Sequence, residues 1–562
     1  MKKLNIIAAF GMTAVMTLSS CIKEIDPQTS YVTADQAKDA PGAYANFVSS
    51  ITSSLNGEFT YSGGSEYPFD FGYPSFFLQR DLLGQDMVSQ DSGSEWYDVW
   101  YTGSSYLGPT NAYSQLPWTY YYGWIKNCNN VIGLAGEAPT EDQKHGLGIA
   151  LAMRAMFYMD LARMYAAKTY AADKNAETVP IVKEDTKNAS NPRATNEQMY
   201  QFILADLDKA EALLADYKRS DVYTPNINVV YGLKARAYLT MEDWANAEKY
   251  AKLAYSGFTA MTKDQYLSQT DGFNTPNGSW IFGLTYRASD PNITNNDADS
   301  SWGSQMIIEV SESGCGYASN YIGPKSIDAH LFNSIPATDF RRMCFIDPAV
   351  DVQIGDATPE TPAGQAVIKA ALADYTDDPL GVYNTCYNVS AVGACQYAEL
   401  KFRPKGGVHD NQYTAFTVAI PLMRAEEMML IEAEAAGMQA ESRGIQLLTD
   451  FAKTRDASYV YGTHNEAYGN TTTPAFQNEV WWQRRVELWG EGFATFDIKR
   501  LQKGIIRSYA GTNHIDNYQW NTTTVPEWMN LCIVQSETNN NSACTNNPTP
   551  NPPKGNSDPF VW

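Results

Sequence analysis

The chain has 562 residues and a formal net charge of −22. This length is enough to bury a large hydrophobic core, and the acidic balance disfavours nucleic-acid binding, because binding phosphates requires a cationic surface. After the first 20 residues, no apolar run reaches the ~18 residues that a membrane-spanning helix needs.

The N-terminus predicts a secretory signal peptide over residues 1–20. Two lysines precede an apolar run that ends at Val15, and small residues close the segment. Cys21 follows these small residues directly, as in a lipobox, so we expect lipidation of Cys21 and a lipid-anchored tether over 21–40. The charged residues after it resemble the short acidic tag of surface lipoproteins. An ordinary signal peptidase site with an incidental cysteine is the alternative.

Helical periodicity dominates two parts of the chain, about 116–257 and 416–537. Within 147–165, apolar residues recur at spacings of three and four. The next helix is predicted over 195–214, beginning at Thr195, a residue type that commonly caps helix N-termini. The pattern therefore predicts a mostly α-helical scaffold.

Residues 228–255 are predicted to form a helical hairpin. Small and aromatic residues follow the spacing of a tetratricopeptide unit at Ala235, Tyr238, Trp244, Ala247 and Ala254. In such a unit the small residues allow close helix approach, and the rings fill the groove between helices. A second helical pair is expected over 425–455, which contains the strong helix-forming run 433–436.

Two segments lack helical periodicity, about 45–115 and 258–415. They are rich in Gly, Asn, Asp and Thr, and pieces such as 280–286 and 306–310 have strand-like composition. We expect these segments to form an irregular α+β region.

Charged and aromatic residues interleave at helical spacing over 479–501. Arg484, Glu487 and Glu491 lie three and four positions apart, close enough to pair on one helix face. Crowded charges of this kind must be paired when buried. We therefore expect an ion-pair network that stabilises the fold and carries no catalytic role.

The same segment resembles the C-terminal signature of the SusD-like (RagB/SusD) outer-membrane lipoproteins. The matching positions are Arg484, Arg485, Glu487, Leu488, Glu491, Gly492, Phe496, Asp497 and Arg500. Ala494 departs from the signature, which has Arg or His near that position. Weaker blocks follow in the family's order at 153–155, 206–210, 421–435 and 533–537, so the resemblance covers nearly the whole mature chain.

The resemblance implies a single domain over 41–562, in which the loop-rich segments pack on the helical scaffold and form the ligand-binding surface. It also implies a surface lipoprotein, anchored in the outer membrane, that captures oligosaccharides and passes them to a TonB-dependent SusC-like transporter without breaking a bond. No cofactor is expected. RagB-like peptide uptake, a surface glycosidase and a protein-binding helical scaffold are the alternatives.

The candidates for glycan contact are aromatic residues in polar loops. A sugar ring presents an apolar C–H face that stacks on an exposed aromatic ring, and neighbouring polar side chains bind its hydroxyls. The candidates are Trp96, Trp100, Trp302, Tyr317 and Tyr321. Serines and a glycine flank Trp302, so the sequence predicts an exposed ring there. For each candidate, a place in the core is the alternative.

Signals for catalysis or metal binding are weak. None of the five histidines belongs to a His-Glu-x-x-His motif. Asn295, Asp297 and Asp299 alternate as calcium ligands do, but the pattern lacks the required glycine and has Met306 where a glutamate is expected. We therefore expect no metal. A nucleophile turn at 314–316 is less favoured than a structural loop, and two acids of a glycosidase need no shared motif.

Of the eight cysteines, seven remain after Cys21 is assigned to lipidation. An export signal permits disulfides. Cys386 with Cys395, or Cys532 with Cys544, could form one, but spacing alone does not decide the pairing.

Overall fold

The computed structural model describes residues 42–58, 69–89, 97–103, 105–188, 190–386, 395–465 and 472–562. The predicted signal peptide, Cys21, the tether and Trp96 lie outside these residues. The described part is mostly α-helical, as predicted, and its sheets have only two strands each. No helix among the described residues has both the length and the apolar character needed to cross a membrane.

The helices are numbered in chain order. They are α1 (Ala43–Ser53), α2 (Ser75–Leu82), α3 (Asp98–Thr102), α4 (Ala112–Ala135), α5 (Glu141–Tyr165), α6 (Asn196–Leu214), α7 (Ile227–Met241), α8 (Trp244–Ala254), α9 (Lys263–Tyr266), α10 (Pro291–Thr294), α11 (Trp302–Met306), α12 (Ala329–Ser334), α13 (Pro348–Ile354), α14 (Pro362–Leu372), α15 (Pro379–Asn384), α16 (Gln412–Ala415), α17 (Ala425–Gln439), α18 (Glu441–Lys453), α19 (Ala475–Glu487), α20 (Ala494–Arg500) and α21 (Gln535–Asn540).

The strands form antiparallel pairs. They are β1 (Met87–Val88), β2 (Glu177–Pro180), β3 (Arg193–Thr195), β4 (Trp280–Thr285), β5 (Ser326–Ile327) and β6 (Ala419–Arg424). β1 pairs with β5, β2 with β3, and β4 with β6. The β4–β6 pair joins a strand inside the loop-rich segment 258–415 to the strand directly before α17. The strand predicted over 280–286 is confirmed, whereas 306–310 forms no strand because Met306 ends α11.

The scaffold helices begin and pack as their sequences predict. Thr195 caps α6: its Oγ1 accepts a hydrogen bond from the Gln198 N–H at 3.3 Å, and the Gln198 side chain accepts one from the Thr195 N–H at 3.0 Å. In the α7–α8 hairpin, Ala235, Ala247 and Ala254 are fully buried. Small residues at these positions let the two helices approach closely.

The network predicted over 479–501 is present and buried. Glu487 accepts hydrogen bonds from Arg424 at 2.8 Å and from Arg341 and Arg455 at 3.1 Å. Glu491 accepts from Arg424 at 2.8 Å and from Lys401 at 2.7 Å. These partners lie far from 479–501 in the sequence, so the network ties distant segments to one point in the core.

The predicted pairing of Arg484 with Glu487 and Glu491 is wrong. Arg484 instead donates to Asp497 at 2.7 Å. Glu487 lies on the same helix, but its carboxylate is occupied by arginines from other segments. For Glu491, the physical reason is that α19 ends at Glu487. Glu491 therefore lies beyond the helix and does not share a face with Arg484.

A second buried charge cluster lies around Asp160, in the middle of α5. Its carboxylate accepts hydrogen bonds from Tyr73 at 2.6 Å, Arg80 at 3.0 Å, Tyr121 at 2.9 Å and Arg163 at 2.6 Å. Burial alone would raise the pKa of Asp160, but the charges of Arg80 and Arg163 outweigh it and lower this pKa to about 2. The ionised form therefore stabilises the fold.

We expect Asp160→Asn to lower the free energy of unfolding at pH 7 by roughly 2 kcal/mol, the linkage value for this pKa shift. A depressed carboxyl pKa stabilises the fold above the unfolded-state value of about 4 and loses that contribution as the pH falls towards 2. Urea unfolding of wild type and variant between pH 7 and 2.5 measures the effect. The difference between their free energies of unfolding should shrink as the pH falls. The exposed Asp185→Asn variant is the control. A gap that stays constant with pH would contradict the prediction.

One of the two possible disulfides is formed. Cys386 and Cys395 are bonded, with their Cα atoms 4.9 Å apart. Cys532 and Cys544 are buried free thiols, as is Cys128. The spacing of the cysteines left this choice open.

Candidate ligand-binding surface

Short helical turns from two segments, 291–322 and 412–417, form a layer on one side of the core. The layer contains α10, α11, a single π-helical turn over Tyr317–Tyr321, and α16. The ring of Phe416, just after α16, packs directly against Gly303 and Gly316. A Cβ at Gly303 would lie 2.4 Å from that ring, so only glycine permits this approach.

Two tyrosine rings project from this layer into solvent. Tyr321 is 55% exposed and Tyr413 is 43% exposed. The hydroxyl of Tyr413 donates a hydrogen bond to Asp297 at 2.8 Å, and this bond raises the pKa of Tyr413. Tyr317 lies beneath, its ring centroid 5.5 Å from that of Tyr321. We call Asp297, Tyr317, Tyr321 and Tyr413 the tyrosine patch.

The backbone beside the patch has an unusual conformation. Asn296, Asp297 and Ala298 have φ values of 44°, 55° and 63°, so three consecutive residues other than glycine are left-handed. Such residues persist only where the surroundings hold them in place. Here the Ala298 N–H donates to the Asn295 carbonyl at 2.9 Å, and the Asp299 N–H donates to that of Asn296 at 3.0 Å. The turn presents the Asp297 carboxylate outward.

Polar side chains inside the layer connect the turns. Asp299 accepts a hydrogen bond from the Gly316 N–H at 2.9 Å, and Ser304 accepts one from the Tyr317 N–H at 2.9 Å. Asp299 therefore faces inward, whereas Asp297 faces outward. The alternating acidic residues Asp297 and Asp299 therefore do not point to a common position, as calcium ligands would.

The turn at 314–316 does not resemble an activated nucleophile. Burial raises the pKa of the Cys315 thiol, and the carboxylates of Asp299 and Asp297 raise it further. A thiol in such surroundings stays protonated and is a poor nucleophile. Its Sγ lies 3.2 Å from Nε2 of Gln412, which links this turn to α16.

The predicted exposure of Trp302 is wrong. Its side chain is 1% exposed and makes edge contacts with Phe71, Phe77 and Phe402 at centroid distances of 6.4, 6.1 and 5.2 Å. The neighbouring serines and glycine do not enclose the ring, but these distant residues do. Trp302 therefore anchors the loop layer to the core and offers no face to a ligand.

Trp100 is buried in the same way. It is 0% exposed and lies against Phe69, Tyr97 and Tyr113, with ring centroids 5.0 to 5.5 Å away. Of the described candidates, only Tyr321 is therefore exposed on this layer. Tyr317, also predicted to contact the ligand, is only 6% exposed. Tyr413 was missed, although its polar neighbours from Asn411 to Thr414 carry the same signal as the chosen loops.

We now expect Trp302→Ala to destabilise the protein by roughly 3–5 kcal/mol, because it leaves a cavity in the core. Urea unfolding monitored by circular dichroism measures this loss. Trp302→Phe, which retains a ring, should lose less. An unchanged unfolding midpoint for Trp302→Ala would show that the ring is not part of the core.

Two family models match the chain. Residues 77–239 match a SusD-like family described as starch-binding and associating with the outer membrane. Residues 394–549 match the SusD family. The chain is a SusD-like protein. The second match includes α16 and all of the ion-pair network except Arg341, and the first covers most of α2 to α7. No curated protein matches the chain.

Solved structures share the fold of this SusD-like protein. A SusD-like carbohydrate-binding protein from Bacteroides vulgatus is 21% identical, with a TM-score of 0.66, covering 90% of this chain and 97% of that one. A SusD superfamily protein from Bacteroides thetaiotaomicron is 19% identical, with a TM-score of 0.64, covering 92% and 100%. Surface glycan-binding protein A from the same species, solved with laminarihexaose, is 16% identical, with a TM-score of 0.62, covering 90% and 99%. At these identities the likeness establishes the fold.

Proposed function

We propose that this SusD-like protein is a cell-surface lipoprotein that captures oligosaccharides and delivers them to a TonB-dependent SusC-like transporter. The observation that carries the proposal is the tyrosine patch. Tyr321 and Tyr413 expose large rings, and the hydroxyl of Tyr413 binds the Asp297 carboxylate. Exposed rings can stack on the C–H faces of sugars while carboxylates and hydroxyls bind sugar hydroxyl groups, so the patch has the chemistry of a glycan-binding surface.

The named ligands of structural relatives support this choice. The relative solved with laminarihexaose is a glycan-binding protein, and another is called a carbohydrate-binding protein. We propose the same ligand class for this chain and leave the individual glycan to experiment.

The patch supports binding without bond cleavage. A glycosidase places two carboxyl groups on opposite sides of the scissile bond, about 5–10 Å apart. Here Asp297 accepts from Tyr413, and Asp299 faces inward to the Gly316 backbone. These two acids do not face a common space above the rings.

Affinity electrophoresis of the purified protein against a panel of neutral polysaccharides tests the proposal. We expect retarded migration with at least one polysaccharide and no release of reducing sugar from any. Release of reducing sugar would favour a surface glycosidase. No retardation, together with binding to peptides, would favour RagB-like peptide uptake.

The lipid anchor gives a separate prediction. Cys21→Ala should abolish acylation and release the protein from the membrane fraction, because acyl chains supply the bilayer affinity of an otherwise acidic chain. Fractionation and acyl-group labelling measure both effects. The test requires a strain without the transporter, since a protein partner could retain the variant. A variant that still pellets with outer membranes in that strain would contradict the lipobox.

A further inference from the structure

A cavity that shares no residue with the tyrosine patch lies between α1, the start of α5 and the end of β4. Its volume is about 570 Å³, within the range of small-molecule sites. Ile149 and Leu284, both buried, contribute apolar surface to it. We call this cavity the α1 pocket.

The walls of the α1 pocket carry aromatic rings. Four partly buried rings line it: Tyr44, His145, Tyr217 and Tyr223. Contacts hold three of them in place. His145 packs on Tyr217 with ring centroids 4.9 Å apart, and its Nε2 lies 3.1 Å from Oδ1 of Asp216. Tyr44 donates a hydrogen bond to the Gln143 carbonyl at 2.9 Å. These three rings are therefore positioned before any ligand arrives.

Polar side chains lie among these rings. Ser49, Thr52 and Thr285 supply hydroxyl groups to the lining. Two carboxylates, Asp142 and Asp221, accompany one guanidinium, Arg287, so the charged lining residues sum to −1. That balance disfavours anionic ligands such as phosphorylated, sulfated or uronic sugars.

A neutral sugar matches this combination of groups. Its C–H faces pack on aromatic rings, and its hydroxyls both donate and accept hydrogen bonds, as hydroxyls and carboxylates on the lining require. A purely apolar ligand would leave the polar lining without partners, at a cost in binding free energy.

We propose that the α1 pocket is a second carbohydrate-binding site that takes part of a neutral oligosaccharide. The proposal shares its ligand class with the proposed function, but it rests on a different set of residues. A chain with two sites binds a long glycan at two points, which strengthens retention without requiring a tighter single site.

The test uses calorimetric titration of the mature chain in detergent with two probes, laminarihexaose and maltohexaose. Ser49→Trp places a bulky ring on an exposed lining position of α1 and should block the pocket. Asn46→Trp, on an exposed position of the same helix outside the lining, is the matched control. Tyr217→Ala removes one wall ring. Thermal melts of each variant check folding.

We expect wild type to bind two equivalents of at least one probe. Ser49→Trp should abolish one binding event, Tyr217→Ala should weaken it at least 5-fold, and Asn46→Trp should change nothing. A stoichiometry of one that Ser49→Trp leaves intact overturns the proposal while the proposed function stands. If binding is lost only in Ser49→Trp and Tyr217→Ala and stays intact in variants of the tyrosine patch, the α1 pocket is supported as a binding site. The same result contradicts the tyrosine patch as a binding site. If the wild-type protein binds neither probe, the proposal is overturned.

Discussion

Glu487→Gln should destabilise the protein by roughly 3–5 kcal/mol, the loss expected when one member of a buried charge network is removed. Glu487 is fully buried, and its carboxylate accepts hydrogen bonds from Arg341, Arg424 and Arg455. Glutamine keeps the size of the side chain but removes the negative charge. Three buried guanidiniums would then lose a shared partner. Urea unfolding at pH 7 measures the change.

The ionisation of Glu487 gives a second readout. Burial favours its neutral form, but Arg455, Arg424 and Arg341 outweigh that and hold its pKa well below the ordinary value. The ionised Glu487 therefore contributes fully to the free energy of unfolding above its unfolded-state pKa. This contribution disappears as the pH falls through its folded-state pKa. Glu441→Gln, an exposed change of equal charge on α18, is the control. Equal stability of both variants at pH 7 would show that the network does not support the fold.

Arg485→Ala tests the neighbouring contact between α19 and β1. Arg485 binds the carboxylate of Asp86 through Nε at 3.0 Å and Nη2 at 2.6 Å, and its guanidinium lies 4.7 Å from the Trp481 ring. This variant should also lose stability, because a buried carboxylate keeps fewer partners. Urea unfolding at pH 7 measures this loss.

Tyr321→Ala and Tyr413→Ala should each weaken glycan binding roughly 5- to 150-fold. This range converts the ~1–3 kcal/mol found for aromatic stacking on nucleic-acid bases, used as an analogy. Both rings are largely exposed, so their loss should leave the melting temperature nearly unchanged. Tyr413→Phe keeps the ring but removes its hydrogen bond to Asp297. It should weaken binding less than Tyr413→Ala.

Calorimetric titration with a glycan that retards the protein in electrophoresis measures these effects. Trp562→Ala is the matched control, because this ring is 48% exposed and stacks on His330 outside the loop layer. The control should bind as wild type. Unchanged affinity in the Tyr321→Ala, Tyr413→Ala double variant, with an unchanged melt, would place glycan binding elsewhere on the molecule.

Features that depend on near neighbours were predictable from sequence. The cap at Thr195 needs only Gln198, three residues later. The α7–α8 hairpin follows from a repeat spacing whose small residues, such as Ala247, can only be buried between helices. The buried network was predictable as a whole, since crowded charges require partners. The exposure of Tyr321 was predictable from its polar surroundings, whereas Tyr317, with the same surroundings, is buried.

The identity of distant partners was decided only by the tertiary structure. The sequence predicts that Trp302 is exposed, because its chain neighbours are small. In the structure, Phe71, Phe77 and Phe402 enclose its ring. The sequence predicts that Arg484 pairs with Glu487, but Arg484 donates to Asp497 instead. Arginines from other segments occupy the carboxylate of Glu487. Sequence thus determined the helical scaffold and its charged segment, because periodicity and capping act within a few residues. Only the tertiary structure decided which aromatic rings are exposed to solvent and which charged residues pair, because burial depends on residues far apart in the chain.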